Sequence, residues 1–257
     1  MTQIAISNLW KEYPGQVVLE RINLELNNKS FCSIVGASGC GKSTLLRILL
    51  GQEPQTRGTV MLDDELLPAE PGPDRGVVFQ RYSVFPHLTA AENVAFGLEI
   101  ERAPLFGRLF GSARKAILDE AHTYLDSVDL GNAADKYPAE LSGGMQQRLA
   151  IAQALVKKPK VLLLDEPFGA LDPGIRADMH ELILKLWHET EMTIFMVTHD
   201  LNEGFKLGTR LLVFDKVRID PHEPGAFGAT ITYDLPLDDK SNGVLDHVKN
   251  LERKKKD

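Results

Sequence analysis

Gly36-Ala37-Ser38-Gly39-Cys40-Gly41-Lys42-Ser43-Thr44 lies between an apolar run, Phe31-Cys32-Ser33-Ile34-Val35, and a helical stretch, Leu45-Leu46-Arg47-Ile48-Leu49-Leu50. The order predicts a buried strand, a glycine-rich turn and a helix. That is the setting in which the pattern G-x-x-x-x-G-K-[ST] carries meaning. Glycines let the backbone curl so that successive N–H groups point inward as an anion nest. The helix beginning there adds its positive dipole end and its unpaired amides. Lys42 has the reach for outer phosphates, and Ser43 a hydroxyl for magnesium. Alone, the stretch implies a nucleoside triphosphate and nothing about its use.

The 257 residues suffice for one large α/β domain with a subdomain, and 43% hydrophobic and 25% charged residues are ordinary for a globular chain. A formal charge of −7 argues against a broad nucleic-acid face. No apolar run approaches the roughly 20 residues needed to cross a bilayer. Met1–Ile6 lacks the basic and apolar regions of a secretion signal, so an intracellular protein is expected. Two cysteines, Cys32 and Cys40, make no disulfide framework. Cys40 is a redox-switch candidate because helix N-termini lower thiol pKa, although a small residue tolerated in the loop is the favoured reading.

Before the phosphate loop, Ile4, Ile6 and Leu9 begin a strand ending at the turn Tyr13-Pro14-Gly15, and Val17–Leu19 with Ile22–Leu26 continue antiparallel. Tyr13, at a strand end, is a candidate to stack on an adenine ring, the alternative being a surface tyrosine. After the first helix, Gly58–Leu62 and Gly76–Phe79 read as strands, the second delivering Gln80 to its carboxyl end. Ligands in open α/β sheets sit at that edge, so Gln80 is a candidate for magnesium or for attacking water.

From Arg81 to Ala139 strand patterns vanish. Thr89–Leu98 and Ser112–Val128 have helical spacing, with Ile117, Ala121, Tyr124 and Val128 on one face. An inserted helical subdomain is expected. Its Leu105-Phe106-Gly107-Arg108-Leu109-Phe110-Gly111, with Arg102, Arg114 and Lys115 nearby, has the character of a contact for a membrane partner or lipid. Packing of both phenylalanines inside the subdomain is the favoured alternative.

Leu141-Ser142-Gly143-Gly144 opens another helix whose exposed amides and hydroxyl suit an anion. Val161–Leu164 is a run suited to a strand buried on both faces, and it ends in Asp165-Glu166. Adjacent carboxylates there need a cation or a proton, and strand alternation sends them in different directions. One can serve magnesium while the other orients water. Asp172-Pro173 reads as a helix cap with proline at the first helical position. Met192–Val197 is a further buried strand that carries His199 just beyond its end. Gln80, Asp165, Glu166 and His199 thus fall at one expected edge.

Taken together, Tyr13, Gly36–Thr44, Gln80, Leu141–Gly144, Asp165-Glu166, Asp172 and His199 resemble, in order, the nucleotide-binding subunit of an ATP-binding cassette (ABC) transporter. The resemblance runs from Ile4 to Phe214. It implies a P-loop α/β core with an antiparallel β subdomain over 1–80 and 141–218, a helical insertion over 81–140, and a hairpin with a basic tail over 219–257. ATP would be held by Tyr13, Gly36, Ser38, Gly39, Cys40, Gly41, Lys42, Ser43 and Thr44. Mg2+ would be organised by Ser43, Gln80 and Asp165. Glu166 and His199 would be catalytic with Gln80. Ser142, Gly143, Gly144 and Asp172 would act across a head-to-tail pair of cassettes.

The implied partners are a second copy or a homologous ATPase, membrane permease subunits and a solute-binding protein. The implied place is the cytoplasmic membrane face. Met145, where many members carry glutamine, resembles importers of the nitrate, sulfonate and taurine type, with urea-like or guanidine-like solutes also open. The competing reading is a soluble cassette acting on nucleic acid or the ribosome, which would ordinarily show two cassettes or a coiled-coil insertion.

Overall fold

The computed structural model describes residues 3–80, 83–103 and 109–237. In chain order its elements are β1 (Ile4–Tyr13), β2 (Gln16–Leu26), β3 (Phe31–Gly36), α1 (Lys42–Leu50), β4 (Arg57–Leu62), β5 (Glu65–Leu66) and β6 (Arg75–Val78). There follow α2 (Ala90–Arg102), α3 (Gly111–Ser127), α4 (Gly143–Leu155), β7 (Val161–Asp165), α5 (Pro173–Glu189), β8 (Thr193–Val197), α6 (Leu201–Leu207), β9 (Arg210–Asp215) and β10 (Thr230–Pro236). The described residues form two compact units: those within 1–72, 163–166 and 191–257 make the first, those within 73–162 and 167–190 the second.

The first unit contains an antiparallel sheet, β2-β1-β4-β5, and the order β10-β9-β3-β8-β7. β3 runs parallel to both β8 and β9. Such central strands are covered on both faces, which is why Phe31–Val35 and Thr193–Val197 are buried throughout. The β1–β2 register departs from strict pairing at three places, where the chain bends. Asp63 and Asp64 both take left-handed φ, the backbone of a tight hairpin turn, and so pair β4 with the two-residue β5, which the sequence did not announce.

The expected C-terminal segment beginning at 219 contributes β10, antiparallel to β9. The connection before it lies along β2: Val17 N–H donates to Gly225 O at 2.8 Å, Glu20 N–H to Ala229 O at 2.9 Å, and Ala229 N–H to Val18 O at 2.9 Å. Glu20, only 5% exposed, is held there by the Arg218 guanidinium and the Gly228 amide. Arg218 also stacks over Phe227, 4.1 Å from the ring centre.

The second unit begins with β6, and the described residues from there to the start of β7 form helices and no strand. Thr89 caps α2 reciprocally with Glu92, a pairing that a threonine three residues before a glutamate encodes. Ile117, Ala121 and Leu125 form the buried stripe of α3. Leu125 takes the place expected of Tyr124, which is only partly buried, and Val128 is buried just past the helix end. Arg102 and Arg114, two of the charges around the Leu105–Gly111 segment, join α2 to α3. Arg102 pairs with Glu120 at 2.6 Å, and Arg114 with Glu92 at 2.9 Å and Glu99 at 3.3 Å. Phe110 is 78% exposed, against the expectation that it packs inside; Phe106 lies outside the described residues.

Candidate nucleotide site

The first unit turns the phosphate loop out of β3 through Gly36, whose φ of +151° and whose missing Cβ are both required. A Cβ there would stand 2.2 Å from the Phe214 carbonyl oxygen. Gly41, at φ +87°, begins α1 without any side-chain cap, so the first helical N–H groups remain available to a ligand. A Cβ on Gly41 would meet Leu19 Cδ2 at 2.7 Å, whereas Gly39, at φ +78°, faces open space. Ser38 and Gly39 are exposed, and Thr44 is half-buried in the first turn. The buried Lys42 donates to the carbonyls of Gly36 and Ala37 at 2.8 Å each, which fixes its ammonium over the loop.

Ser43 Oγ donates to Asp165 Oδ1 at 3.0 Å, joining the loop to the end of β7. Burial, with the neighbouring Glu166 carboxylate adding to it, raises the Asp165 pKa, while Ser43, Arg47 and Lys42 pull it down. A hydroxyl and a carboxylate oxygen are hard donors suited to Mg2+, which keeps most of its shell as water and phosphate rather than a protein cage. The residues present therefore fit a magnesium nucleotide.

Glu166 leaves the strand direction: its φ is +48°, uncommon for a side-chain-bearing residue and costing about 1–2 kcal/mol. Its N–H is secured by Val197 O at 2.9 Å. Its Oε2 lies 3.6 Å from His199 Nδ1, close enough to share a small polar space and too far for a direct hydrogen bond. The adjacent carboxylates thus serve different neighbours, Asp165 the loop and Glu166 the histidine. The residues on either side of His199 are fixed by contacts that residue order does not reveal. Thr198 donates to the buried Glu203 carboxylate and accepts from Asp200 N–H at 3.1 Å, while Asp200 caps α6.

Tyr13 closes β1 next to Pro14-Gly15, and its hydroxyl donates to Glu53. Lys11 Nζ lies 4.8 Å from its ring centre. Cys40 is nearly buried, and that burial pushes its thiol up against the opposing pull of Lys42, the reverse of what a redox switch needs. Cys32 is fully buried and its thiol is raised further.

The second unit holds Gln80, exposed two residues beyond β6, together with Ser142, Gly143, Gly144 and Asp172. Ser142 is the N-cap of α4, its Oγ accepting from Met145 N–H at 3.3 Å. Gly143 faces open space, but a Cβ on Gly144 would stand 2.6 Å from Ile175 Cγ2 of α5. Asp172 occupies the N-cap position of α5, with Pro173 following. Its side chain makes no cap hydrogen bond, so the capping expected of it comes from position and proline alone. A cleft of about 410 Å³ in this unit is lined by His87, Leu88, Phe96, Leu109, Phe110 and Arg114. No helix among the described residues is long and apolar enough to cross a membrane.

The ABC transporter family profile matches residues 19–169. Nitrate import ATP-binding protein NrtD of Synechocystis sp. is 43% identical over 242 residues, which are 93% of this chain and 85% of that protein. Bicarbonate transport ATP-binding protein CmpC of Synechococcus elongatus is 41% identical over 250 residues, 95% of this chain but 36% of that longer protein. A dimeric structure of the ATP-binding cassette MJ0796 in a post-hydrolysis state, bound to ADP and Pi, superposes with a TM-score of 0.73 at 30% identity. It covers 91% of this chain and 99% of that one. With the loop, the acidic pair and the histidine assembled as above, the chain belongs to the ABC transporter family and is an ATP-binding cassette ATPase.

Proposed function

We propose that the chain is the ATP-hydrolysing subunit of an importer for a small polar anion of the nitrate or bicarbonate kind. The observation that carries the hydrolytic part is the Ser43–Asp165 contact with Glu166 next in the chain and facing His199. The names of the nitrate and bicarbonate relatives support the solute class, which is narrower than the sulfonate, taurine, urea or guanidine options.

In this reading Lys42 and the loop amides bind the outer phosphates, with Gly36, Gly39 and Gly41 shaping the loop and Ser38, Cys40 and Thr44 completing its contacts. Tyr13 takes the base. Ser43, Asp165 and Gln80 would hold Mg2+, which supplies charge neutralisation on the phosphate oxygens when bound. Glu166 orients and polarises the attacking water, and His199 holds that water and the terminal phosphate in line. Positioning and electrostatics do most of such catalysis.

Ser142, Gly143 and Gly144 offer a helix start that lacks a lysine, a carboxylate pair or a bent loop of its own. We assign them to the nucleotide of a second cassette, with Asp172 lining the same junction, so the working unit is a dimer. The dimeric cassette structure supports that assembly. Membrane permease subunits dock on the cleft beside the exposed Phe110, a solute-binding protein delivers the anion, and the chain is peripheral at the cytoplasmic face.

The test is size-exclusion chromatography with light scattering on Glu166→Gln in ATP and magnesium. A stable dimer supports the reading, and a monomer at all ATP concentrations overturns it. Co-purification of the wild type from native membranes should bring down a polytopic membrane protein. Recovery with ribosomes alone would reject the importer.

A further inference from the structure

Glu53 lies just past α1, in a segment where sequence patterning marks only the end of a helix. Its carboxylate is 24% exposed and gathers three side chains. Oε2 accepts the Tyr13 hydroxyl and lies 3.5 Å from Lys11 Nζ, while Oε1 lies 3.4 Å from Arg47 Nη1, in the last turn of α1. Lys11 is itself anchored: 8% exposed, it donates to Pro54 O at 2.8 Å and sits against the Tyr13 ring. Arg47 O accepts the Gln52 N–H at 2.9 Å, so the backbone that carries Glu53 is tied to the helix as well. Tyr13 remains 39% exposed.

α1 is the helix that the phosphate loop starts. A carboxylate that grips Tyr13 at one oxygen and Arg47 at the other therefore sets the span between the aromatic ring and the loop. We propose that Glu53 is a positioning residue for nucleotide binding, fixing the Tyr13 ring, backed by the Lys11 ammonium, at the separation that a base and its triphosphate require. The inference rests on the reading above that Tyr13 takes the base. Consistent with the contact, the Tyr13 hydroxyl is the main influence holding the Glu53 carboxyl below its usual range, and burial with the Glu53 interaction pushes the phenol up. Because the backbone hydrogen bonds of α1 and the loop do not use the Glu53 side chain, phosphate binding is separable from base positioning.

The experiment uses the full chain with Mg2+ and compares ATP with inorganic tripolyphosphate, which has phosphates and no base. For Glu53→Gln, the KM for ATP rises about threefold to tenfold, the effect of taking the charge away from that hydrogen bond and its ion pairs. kcat stays within about twofold, and tripolyphosphate affinity is unchanged, as a lost positioning contact rather than a lost phosphate contact requires. Tyr13→Phe, which removes the donor, gives the same KM rise, and the double variant adds nothing further.

An unchanged KM in Glu53→Gln, with a raised KM in Tyr13→Ala, overturns the role of Glu53 while leaving the base contact standing. An unchanged KM in Tyr13→Ala overturns the base reading itself, and this inference with it. A parallel loss of tripolyphosphate affinity, or a fall in melting temperature that accounts for the KM change, shows a merely structural residue and also overturns the proposal.

Discussion

Two helices of this chain begin in glycine-rich sequence, and they use their glycines for opposite reasons. Before α1, Gly36, Gly39 and Gly41 all have φ in the left-handed range, and the helix starts without a side-chain cap. There glycine is needed for backbone shape, and the buried Lys42 lies over the result. At the start of α4, Ser142 supplies an ordinary cap and neither Gly143 nor Gly144 has a positive φ. Gly144 is needed because Ile175 leaves no room for a methyl group, and Gly143 meets nothing. The first start is built to hold a ligand with its own lysine and carboxylate. The second presents a capped helix start, the surface proposed above to meet the nucleotide of a second cassette.

The sharpest break between the two is hydrolysis. Glu166→Gln should lower phosphate release by about 100-fold or more, the scale of a lost general base, while a binding titration with ATP stays near wild type. Lys42→Ala should lose ATP affinity in the same titration. Wild-type turnover in the first variant, or wild-type affinity in the second, would remove the distinction between a complete site and a capped helix start.

Next come the glycines. Gly36→Ala should destabilise by about 3 kcal/mol, since both its φ and the Phe214 carbonyl oppose a side chain. Gly144→Ala should cost about 1–3 kcal/mol from overpacking, and Ile175→Ala should restore most of it, whereas no second-site change of that kind rescues Gly36→Ala. Denaturant midpoints report both. A smaller effect is expected for Ser142→Ala, about 1 kcal/mol from the lost cap, with Ser142→Asn near neutral in thermal unfolding.

The smallest is a pH effect at Asp165. Its folded pKa is raised, so the folded chain holds the proton more tightly than the unfolded one. This group's contribution is therefore most favourable below the unfolded carboxyl pKa, and it is lost as pH rises through the folded value. Asp165→Asn, which keeps an acceptor for Ser43, should be at least as stable as wild type without nucleotide at pH 7.5, the gap closing near pH 3.5. A variant less stable at pH 7.5 would mean that the ionised carboxylate favours the folded chain.

Much of this was legible from residue order because it depends on local chemistry. A buried run, a curled loop and a helix leave their mark in adjacent residues, and so do the apolar β7 and the carboxylates at its end. Thr89 and Glu92 announce their own cap. What was hidden depends on residues distant in the chain. Nothing near Gly144 names Ile175, and nothing near Gly36 names the Phe214 carbonyl. Tyr13 gave no sign of Glu53, forty residues on, nor did Arg102 of Glu120, the carboxylate that makes it a strut between helices. Helical spacing placed the buried stripe of α3 but was one residue out at Tyr124 and Leu125. Spacing tracks a face and not its edge.

The segment Gly225–Ala229, hydrogen-bonded along β2, has a further consequence. β2 is the outermost strand of its sheet, and an outermost strand with bare amides is a template for other chains. The bonds to Val17, Val18 and Glu20, with Arg218 pinned on Glu20, act as a selvedge that keeps this border from fraying into aggregates. A chain cut after Val217 would keep every phosphate-binding residue and lose that border, together with β10, which covers β9 at the edge of the other sheet. Its expected failure is therefore colloidal, precipitation on storage and concentration, before it is catalytic.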